Sequence, residues 1–275
     1  MSDKPVILVP TDFTKVGDSA VDYAARLSKI LRADIHLLHI VSKEKEVAAA
    51  KIALGDIAKD LQAKGIEAKT VAEIGNIFDD IGRVAREENA KLIVMGTHGV
   101  KGIQHVMGSK ALKVVTNSDV PYVIVQNKPM REHGFKNIVV PVSFNQEVKQ
   151  SLIYACEMGR YFKSKIHIVY VKEKDEFIAA KIERNIPHAE NYLREQKVDY
   201  EITGIEKKDF SKDVVKFAAS VDADLITIIN NHENIFTYFG GSFEQAVIGN
   251  DEAIPVMVIN HVALNTAYSF SIYFA

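Results

Sequence analysis

The chain has 275 residues, of which 47% are hydrophobic and 25% charged; this is the composition of a globular protein long enough for two domains. The net charge of −2 excludes a general attraction to nucleic acid or anionic membranes, and the single cysteine excludes an internal disulfide and a cysteine-ligated zinc site. The sequence shows neither a signal-peptide segment nor an apolar run of about 20 residues, the length that crosses a bilayer, so we expect a cytoplasmic protein.

Strand-like and helix-like segments alternate through the first half of the chain. The first strand is a run of β-branched and other apolar residues that ends at Pro10 and is followed at once by Asp12. Gly65 after the second helix predicts a C-terminal cap in the left-handed conformation. The predicted strands are residues 6–9, 33–41, 66–73, 91–95 and 121–125, and the predicted helices are residues 16–31, 44–64, 76–88 and 109–117.

This alternation predicts a parallel sheet with helices on both faces. The fold class is therefore α/β, with a doubly wound five-stranded parallel sheet, and residues 66–73 are expected to form an edge strand because they alternate apolar and polar side chains. In such sheets ligands bind beyond the carboxyl ends of the strands, near the point where the strand order reverses. Asp12, Val41 and a glycine-rich segment after Met95 all follow strand ends, so we expect them to lie close together.

The pattern of the first half starts again after a polar stretch that has the composition of a linker. Residues 138–144 match residues 7–13 at a shift of 131, and residues 223–226 match residues 90–93 at a shift of 133. The two halves are therefore predicted to be one duplicated domain. The predicted organisation is a first domain over residues 1–126, a linker over 127–135, a second domain over 136–260 and a tail over 261–275 without an assigned function.

The segment Gly96–Lys110 concentrates four glycines between a predicted strand and a predicted helix. Glycine permits a positive φ and lets the backbone approach a ligand closely. Ser109 stands where a helix N-cap belongs, so free N–H groups and the positive end of the helix dipole face the segment. Lys101 and Lys110 add positive charge, and the segment is predicted to hold an anion such as a phosphate chain. Its spacing fits neither a Walker A loop nor the dinucleotide-binding fingerprint.

The pattern Gly-x-x-Gly, a spacer and Gly-Ser resembles the ATP-binding motif of the universal stress protein family. The run Val6–Phe13 also resembles that family's first strand, which ends in an aspartate. The spacer holds eight residues, one fewer than is usual in the family. The resemblance covers nearly the whole chain and implies a tandem protein that binds ATP or AMP, with Mg²⁺ accompanying ATP. It implies regulation of a stress response by nucleotide binding, as a switch or scaffold, and not catalysis.

The resemblance also implies which residues contact the nucleotide. The ends of the first two strands would hold the adenine and neighbouring groups, and the glycine motif would wrap the ribose and phosphates. The implied nucleotide-binding residues are Pro10, Thr11, Asp12, Val41, Met95, Gly96, His98, Gly99, Gly108, Ser109, Lys110 and Ala111. No catalytic or metal-ligating residue is predicted. The partners predicted are the adenine nucleotide, a second copy of the chain in a homodimer and an unidentified protein, with neither nucleic acid nor membrane among them.

The second half does not keep this chemistry. Its Gly-Ser pair survives as Gly241–Ser242, but Glu244 in the helical turn that follows would satisfy the helix N-terminus and repel a phosphate. We therefore expect one nucleotide per chain, in the first domain. The other equivalent positions are changed as follows: Asp12 to Ser143, Val41 to Lys172, Gly96 to Ile229 and Gly99 to His232.

Each of the main site residues has a second interpretation that involves no ligand. Asp12 could cap the helix that follows it, and Val41 could be an ordinary core residue. Gly96 and Gly99 could be plain turn glycines, although four glycines in so short a segment favour a ligand. His98 could be an exposed loop histidine. These alternatives concern local structure, and the sequence leaves them open.

The remaining chemistry-bearing residues are interpreted as structural. His36 and His39 lie three apart on a strand, so they face opposite sides of the sheet and cannot share a metal. Cys156 takes an apolar position of a helix and is expected to be a small buried side chain. Two alternatives for the whole protein stay open: a nucleotide-independent interaction scaffold, or a slow ATP hydrolase or nucleotidyl or phosphoryl transferase.

Overall fold

The computed structural model describes residues 4–97, 114–115, 118–142, 148–206, 209–230 and 243–260. The chain divides into two compact units, of which the first ends at Met130 and the second begins at Arg131. The predicted tail and most of the glycine-rich segment lie outside the described residues. No helix in the described part of the chain is both long and apolar enough to cross a membrane.

In the first unit, strands and helices alternate along the chain. The strands are β1 (Val6–Pro10), β2 (Asp34–Val41), β3 (Ala68–Ile74), β4 (Ala90–Gly96) and β5 (Tyr122–Val125). The described helices are α1 (Lys15–Leu31), α2 (Glu44–Ala63) and α3 (Ile77–Glu87). Of the helix predicted over residues 109–117, only Val114 and Val115 are described, and both are helical. The strands pair in parallel in the order β3-β2-β1-β4-β5.

The second unit repeats this architecture. Its strands are β6 (Asn137–Val142), β7 (Lys165–Lys172), β8 (Asp199–Glu206), β9 (Leu225–Asn230) and β10 (Val256–Asn260). Its described helices are α4 (Val148–Phe162), α5 (Glu176–Glu195), α6 (Phe210–Ser220) and α7 (Phe243–Ile248). The strands are again parallel, and read from β8 their order is β8-β7-β6-β9-β10. This is the order of the first unit, with β6 to β10 in the places of β1 to β5. The predicted fold class, α/β with two doubly wound five-stranded parallel sheets, is confirmed.

The strand register shows that the two units are duplicates. Leu8 of β1 is paired with Ile93 of β4. In the second unit Val139 of β6 is paired with Ile226 of β9. These partners lie 131 and 133 residues further along the chain, the same shifts at which the sequence repeats. Equivalent residues of the two units can therefore be compared position by position.

The ends of the helices follow the rules for left-handed caps. Gly65 after α2 has φ 74°, as predicted, and Arg32 after α1 has φ 53°. The N–H of Ile66 donates to the carbonyl oxygen of Leu61 at 3.0 Å, so Ile66 belongs to the cap of α2. For this reason β3 begins at Ala68, two residues later than the sequence pattern predicts.

The central strands supply the core of the first unit. Ile7, Leu8 and Val9 of β1 are fully buried, as a continuous apolar run in a sheet covered on both faces should be. Burying each such side chain stabilises the fold by roughly 1.5–3 kcal/mol. β3 lies at the edge of the sheet and is only partly buried, as predicted. β1 is paired with β2 and β4, so the strand order reverses beside the carboxyl end of β1.

Candidate functional site

The carboxylate of Asp12 is exposed just beyond β1. Its Oδ1 accepts hydrogen bonds from the backbone N–H and the hydroxyl of Thr14, at 3.1 Å and 2.6 Å. Thr14 is the N-cap of α1, and its hydroxyl oxygen accepts from the N–H of Gly17 at 3.3 Å. The interpretation of Asp12 as the helix cap is therefore wrong, because Thr14 takes that role. Asp12 orients the capping residue instead.

The turn that carries Asp12 is held by residues on both sides of it. Phe13 has φ 61°, a left-handed conformation that costs a residue with a Cβ roughly 1–2 kcal/mol. The N–H of Phe13 donates to Thr11 Oγ1 at 3.1 Å. Nδ1 of His39, on β2, lies 2.7 Å from the carbonyl oxygen of Thr11, and the rings of His39 and Phe13 pack with their centroids 4.4 Å apart.

The first turn of α1 lies against both the Asp12 turn and the end of β4. A Cβ atom on Gly17 would be 2.8 Å from Thr11 Oγ1 and 3.0 Å from Asp12 Oδ1. A Cβ atom on Gly96 would be 2.4 Å from the carbonyl oxygen of Val16. The structure therefore brings Asp12 and Gly96 together around the start of one helix, at the reversal of the strand order. The absent side chain of Gly96 also has a packing reason that the sequence did not reveal.

The other described site residues are mostly enclosed by the fold. Val41 is 5% exposed, and its carbonyl oxygen accepts from the N–H of Gly75 at 2.9 Å. Met95 is 9% exposed, Thr11 is buried and Pro10 is half-buried. Val41 thus has a core role, whatever else it contacts. Of the other nucleotide-binding residues implied by the sequence, His98, Gly99, Gly108, Ser109, Lys110 and Ala111 lie outside the described residues.

Exposed apolar side chains stand beside these enclosed residues. Phe13 is 38% exposed at the end of β1, and Ile74, which is paired with Val41, is 48% exposed at the end of β3. Ile77, the first residue of α3, is 46% exposed. Three exposed apolar side chains therefore lie at or just beyond the ends of β1 and β3. Such surfaces suit the face of a flat aromatic ligand.

The second unit carries different side chains at the equivalent positions. Phe210 and Phe243, which occupy the positions of Ile77 and Lys110, are stacked with ring centroids 4.8 Å apart. Lys172, at the position of Val41, lies 3.5 Å from Glu206 in an ion pair.

Two further replacements of the second unit concern the positions of Gly96 and Ala111. Ile229 adds a full side chain where the first unit has Gly96. Glu244 is 5% exposed in the first turn of α7, at the position of Ala111, as the acidic residue predicted there. Ser143, His232, Gly241 and Ser242 lie outside the described residues.

Two equivalent histidines lie on the strands next to β1 and β6: His36 is half-buried and His167 is buried. Nδ1 of His36 lies 2.7 Å from Glu88 Oε2, and Nε2 of His167 lies 3.1 Å from Asn137 Oδ1. Burial lowers the pKa of both imidazoles. His36 and His39 have different partners, as expected of side chains on opposite faces of a strand. Within the described ranges, no group of three or more His, Cys, Asp or Glu side chains is arranged to hold a metal ion.

Cys156 has the properties expected of a structural residue. Its side chain is fully buried in α4. Burial raises the pKa of its thiol to about 12, so the thiolate that reacts as a nucleophile is scarcely formed at neutral pH. The interpretation of Cys156 as a small buried side chain is confirmed.

The residues that connect the two units bond to the second one. Oδ2 of Asp224 accepts from the backbone N–H groups of Lys136 and Asn137, at 2.8 Å and 3.0 Å. Its Oδ1 lies 3.2 Å from Nη1 of Arg131, whose Nη2 donates to Asp222 at 2.5 Å. The Asp224 side chain is only 3% exposed. This buried carboxylate ties the chain before β6 to the start of β9, a role that sequence analysis missed.

Comparison with known proteins agrees with this architecture. Residues 5–126 match the model of the Universal stress protein family. Two universal stress proteins of Methanocaldococcus jannaschii resemble the chain. The first is 23% identical over 153 residues, and the match covers 44% of this chain and 94% of the relative. The second is 27% identical over 143 residues, and the match covers 46% of this chain and 84% of the relative.

Solved structures extend the likeness of fold beyond the first unit. A universal stress protein from Archaeoglobus fulgidus superimposes on 94% of this chain and 99% of its own, with a TM-score of 0.77 at 19% identity. One from Pseudomonas aeruginosa covers 94% of both chains with a TM-score of 0.67 at 16% identity. The resemblance drawn from the sequence is thus confirmed: residues 5–126 belong to the universal stress protein family, in a chain that carries a second unit of the same fold.

Proposed function

We propose that the first unit binds one adenine nucleotide, ATP or AMP, beyond the carboxyl ends of β1, β2 and β4. Nucleotide occupancy then acts as a regulatory signal in a cytoplasmic stress response, through a protein partner or a homodimer. The observation that carries the proposal is the convergence of Asp12 and Gly96 on the first turn of α1. This point, where the strand order reverses, is where open α/β sheets bind their ligands.

The described residues fit the chemistry of a nucleoside. An ionised carboxylate only accepts hydrogen bonds, so Asp12 suits the hydroxyl groups of a ribose or the amino group of an adenine. Its Oδ1 is fixed by Thr14, and the side chain is exposed. Phe13, the residue after Asp12, and Ile74, at the end of β3, are exposed and offer apolar surface for a base. The proposed site therefore combines a hydrogen-bond acceptor with apolar surface.

The phosphates are assigned to the glycine motif that follows Thr97. Support for this step comes from the sequence: Gly99, Gly108 and Ser109 match the family motif with a spacer one residue shorter, and Lys110 adds positive charge. Mg²⁺ would accompany ATP there. Catalysis has no dedicated residue in this proposal, so the function rests on binding. The second unit, where Phe210 stacks on Phe243, serves as a scaffold.

Isothermal titration of the purified chain with ATP and with AMP tests the proposal. We expect one site per chain, and we expect Asp12→Ala to weaken it about tenfold or more because a charge-assisted hydrogen bond is lost. Ser143→Ala, at the equivalent position of the second unit, is the matched control and should leave the affinity unchanged. Equal loss in both variants, or no heat of binding at millimolar nucleotide, would contradict the proposal.

A further inference from the structure

The two residues on either side of Asp12 are held by one side chain from the neighbouring strand. Nδ1 of His39 lies 2.7 Å from the carbonyl oxygen of Thr11. The His39 ring also packs against the ring of Phe13, with centroids 4.4 Å apart. Asp12 therefore lies between two residues that contact the same half-buried imidazole. His39 therefore contacts the turn on both sides of Asp12.

The hydrogen bond to Thr11 fixes which way the imidazole is used. A carbonyl oxygen can only accept, so Nδ1 of His39 is the donor. The N–H of Thr11 donates to the carbonyl oxygen of Leu38 at 2.9 Å. Thr11 is thus bonded to β2 through both its N–H and its carbonyl group. The His39 side chain extends the attachment of β1 to β2 up to the residue before Asp12.

The conformation after Asp12 needs such support. Phe13 has φ 61°, a region that residues other than glycine rarely adopt. Its N–H donates to Thr11 Oγ1 at 3.1 Å, and its ring rests on His39. Backbone conformations of this kind persist where the surrounding structure holds them, and they cluster at functional sites. The strained residue, the buried threonine and the imidazole form one connected unit around Asp12.

We propose that His39 is a positioning residue for the nucleotide site: it holds Thr11 and Phe13 so that the Asp12 carboxylate meets the ligand. This inference rests on the proposed function, because it assumes that Asp12 contacts the nucleotide. His39 belongs neither to the glycine motif nor to the end of the first strand, so the inference adds a new residue to the proposed site. The removal of His39 should displace Asp12 without removing any group that touches the nucleotide.

Titration of a set of variants with ATP tests the inference. We expect His39→Ala to weaken binding about tenfold, and His39→Asn to recover most of the loss because its amide N–H can replace Nδ1–H. In an Asp12→Ala background, His39→Ala should cause no further loss, since the group that it positions is gone. Full additivity of the two losses would overturn the inference. His36→Ala, which removes a histidine of the same strand that contacts Glu88, should leave the affinity unchanged.

A second readout works without nucleotide and separates this inference from the proposed function. The amide of Thr14 donates to Asp12 Oδ1, so its hydrogen exchange reports whether the carboxylate is in place. We expect faster exchange in His39→Ala and recovery in His39→Asn. If wild-type protein binds no nucleotide but this pattern appears, the proposed function fails while the positioning stands. Unchanged exchange of Thr14 in His39→Ala would overturn the positioning itself.

Discussion

A Cβ atom on Gly96 would lie 2.4 Å from the carbonyl oxygen of Val16, far inside the distance at which packed atoms meet. The end of β4 can therefore carry no side chain while α1 starts where it does. In the second unit Ile229 fills the same position. Gly96 thus has a packing function first, and any contact with a ligand comes in addition to it.

Gly96→Ala should destabilise the protein by about 1–3 kcal/mol, because α1 or β4 must shift to admit the methyl group. Thermal or urea unfolding measures the loss. Gly55→Ala is the matched control: a Cβ there meets nothing within 4 Å, and the residue lies inside α2. The free energy of unfolding of this control should rise by roughly 0.5–1 kcal/mol, because alanine has a higher helix propensity than glycine. Equal effects at both positions would contradict the packing argument.

Asp224→Ala should weaken the second unit far more than Asp222→Ala. Loss of the Asp224 carboxylate leaves the N–H groups of Lys136 and Asn137 without their acceptor, at a cost of about 1–3 kcal/mol each if they stay buried. Asp222 is 73% exposed, so its pair with Arg131 should contribute about 0–1 kcal/mol. Urea unfolding compares the two variants, and cleavage by trypsin after Arg131 should accelerate only in Asp224→Ala.

The stability of the second unit should fall as the solution is acidified. Burial lowers the pKa of His167 below 6.5, with Lys165 adding to the effect. The unfolded chain then takes up a proton near pH 6.5 that the folded chain refuses. This histidine's contribution to the free energy of unfolding is complete above that pH and declines below it, by at most about 1.4 kcal/mol per pH unit.

Urea unfolding between about pH 7 and pH 5.5 tests this pH dependence. His167→Gln should flatten it, since glutamine does not titrate. An unchanged slope in the variant would show that His167 does not carry the effect. Burial lowers the pKa of His36 in the same way, so the first unit, to which His36 belongs, should show a pH dependence of the same sign that His167→Gln leaves unchanged.

The stacked pair Phe210–Phe243 should be coupled in energy. A double-mutant cycle with alanine at each position is expected to give about 0.5–1.5 kcal/mol of interaction beyond the burial of the two rings. Phe177→Ala is the control, because this phenylalanine is 69% exposed and should change stability by less than about 0.5 kcal/mol. A coupling energy near zero would contradict a stabilising contact between these two rings.

The fold could be predicted from the sequence because its signals are local. The apolar run that stops at Pro10 and the helix that ends at Gly65 can be recognised from neighbouring residues alone. The repeat at shifts of 131 and 133 is recognised by comparing the chain with itself. The start of β3 was misjudged because Ile66 is apolar but bonds back to Leu61 as part of a helix cap. Periodicity alone cannot separate a cap residue from the first residue of a strand.

The site was predictable in part. The aspartate after the first strand and the glycine at the end of the fourth do converge, since parallel strands bring their carboxyl ends together. Thr14 as the cap of α1 had a signal, a threonine just before the apolar period begins. The roles of His39 and of Asp224 had none, because each depends on a partner from another part of the chain, at 28 and about 88 residues' separation.

The nucleotide content of freshly purified protein tests the central claim most directly. The protein is denatured and its supernatant analysed by chromatography, beside Gly108→Val and the matched Gly241→Val in the second half. We predict about one adenine nucleotide per chain, lost in Gly108→Val and kept in Gly241→Val. Two nucleotides per chain, or none even after incubation with ATP at millimolar concentration, would contradict the account.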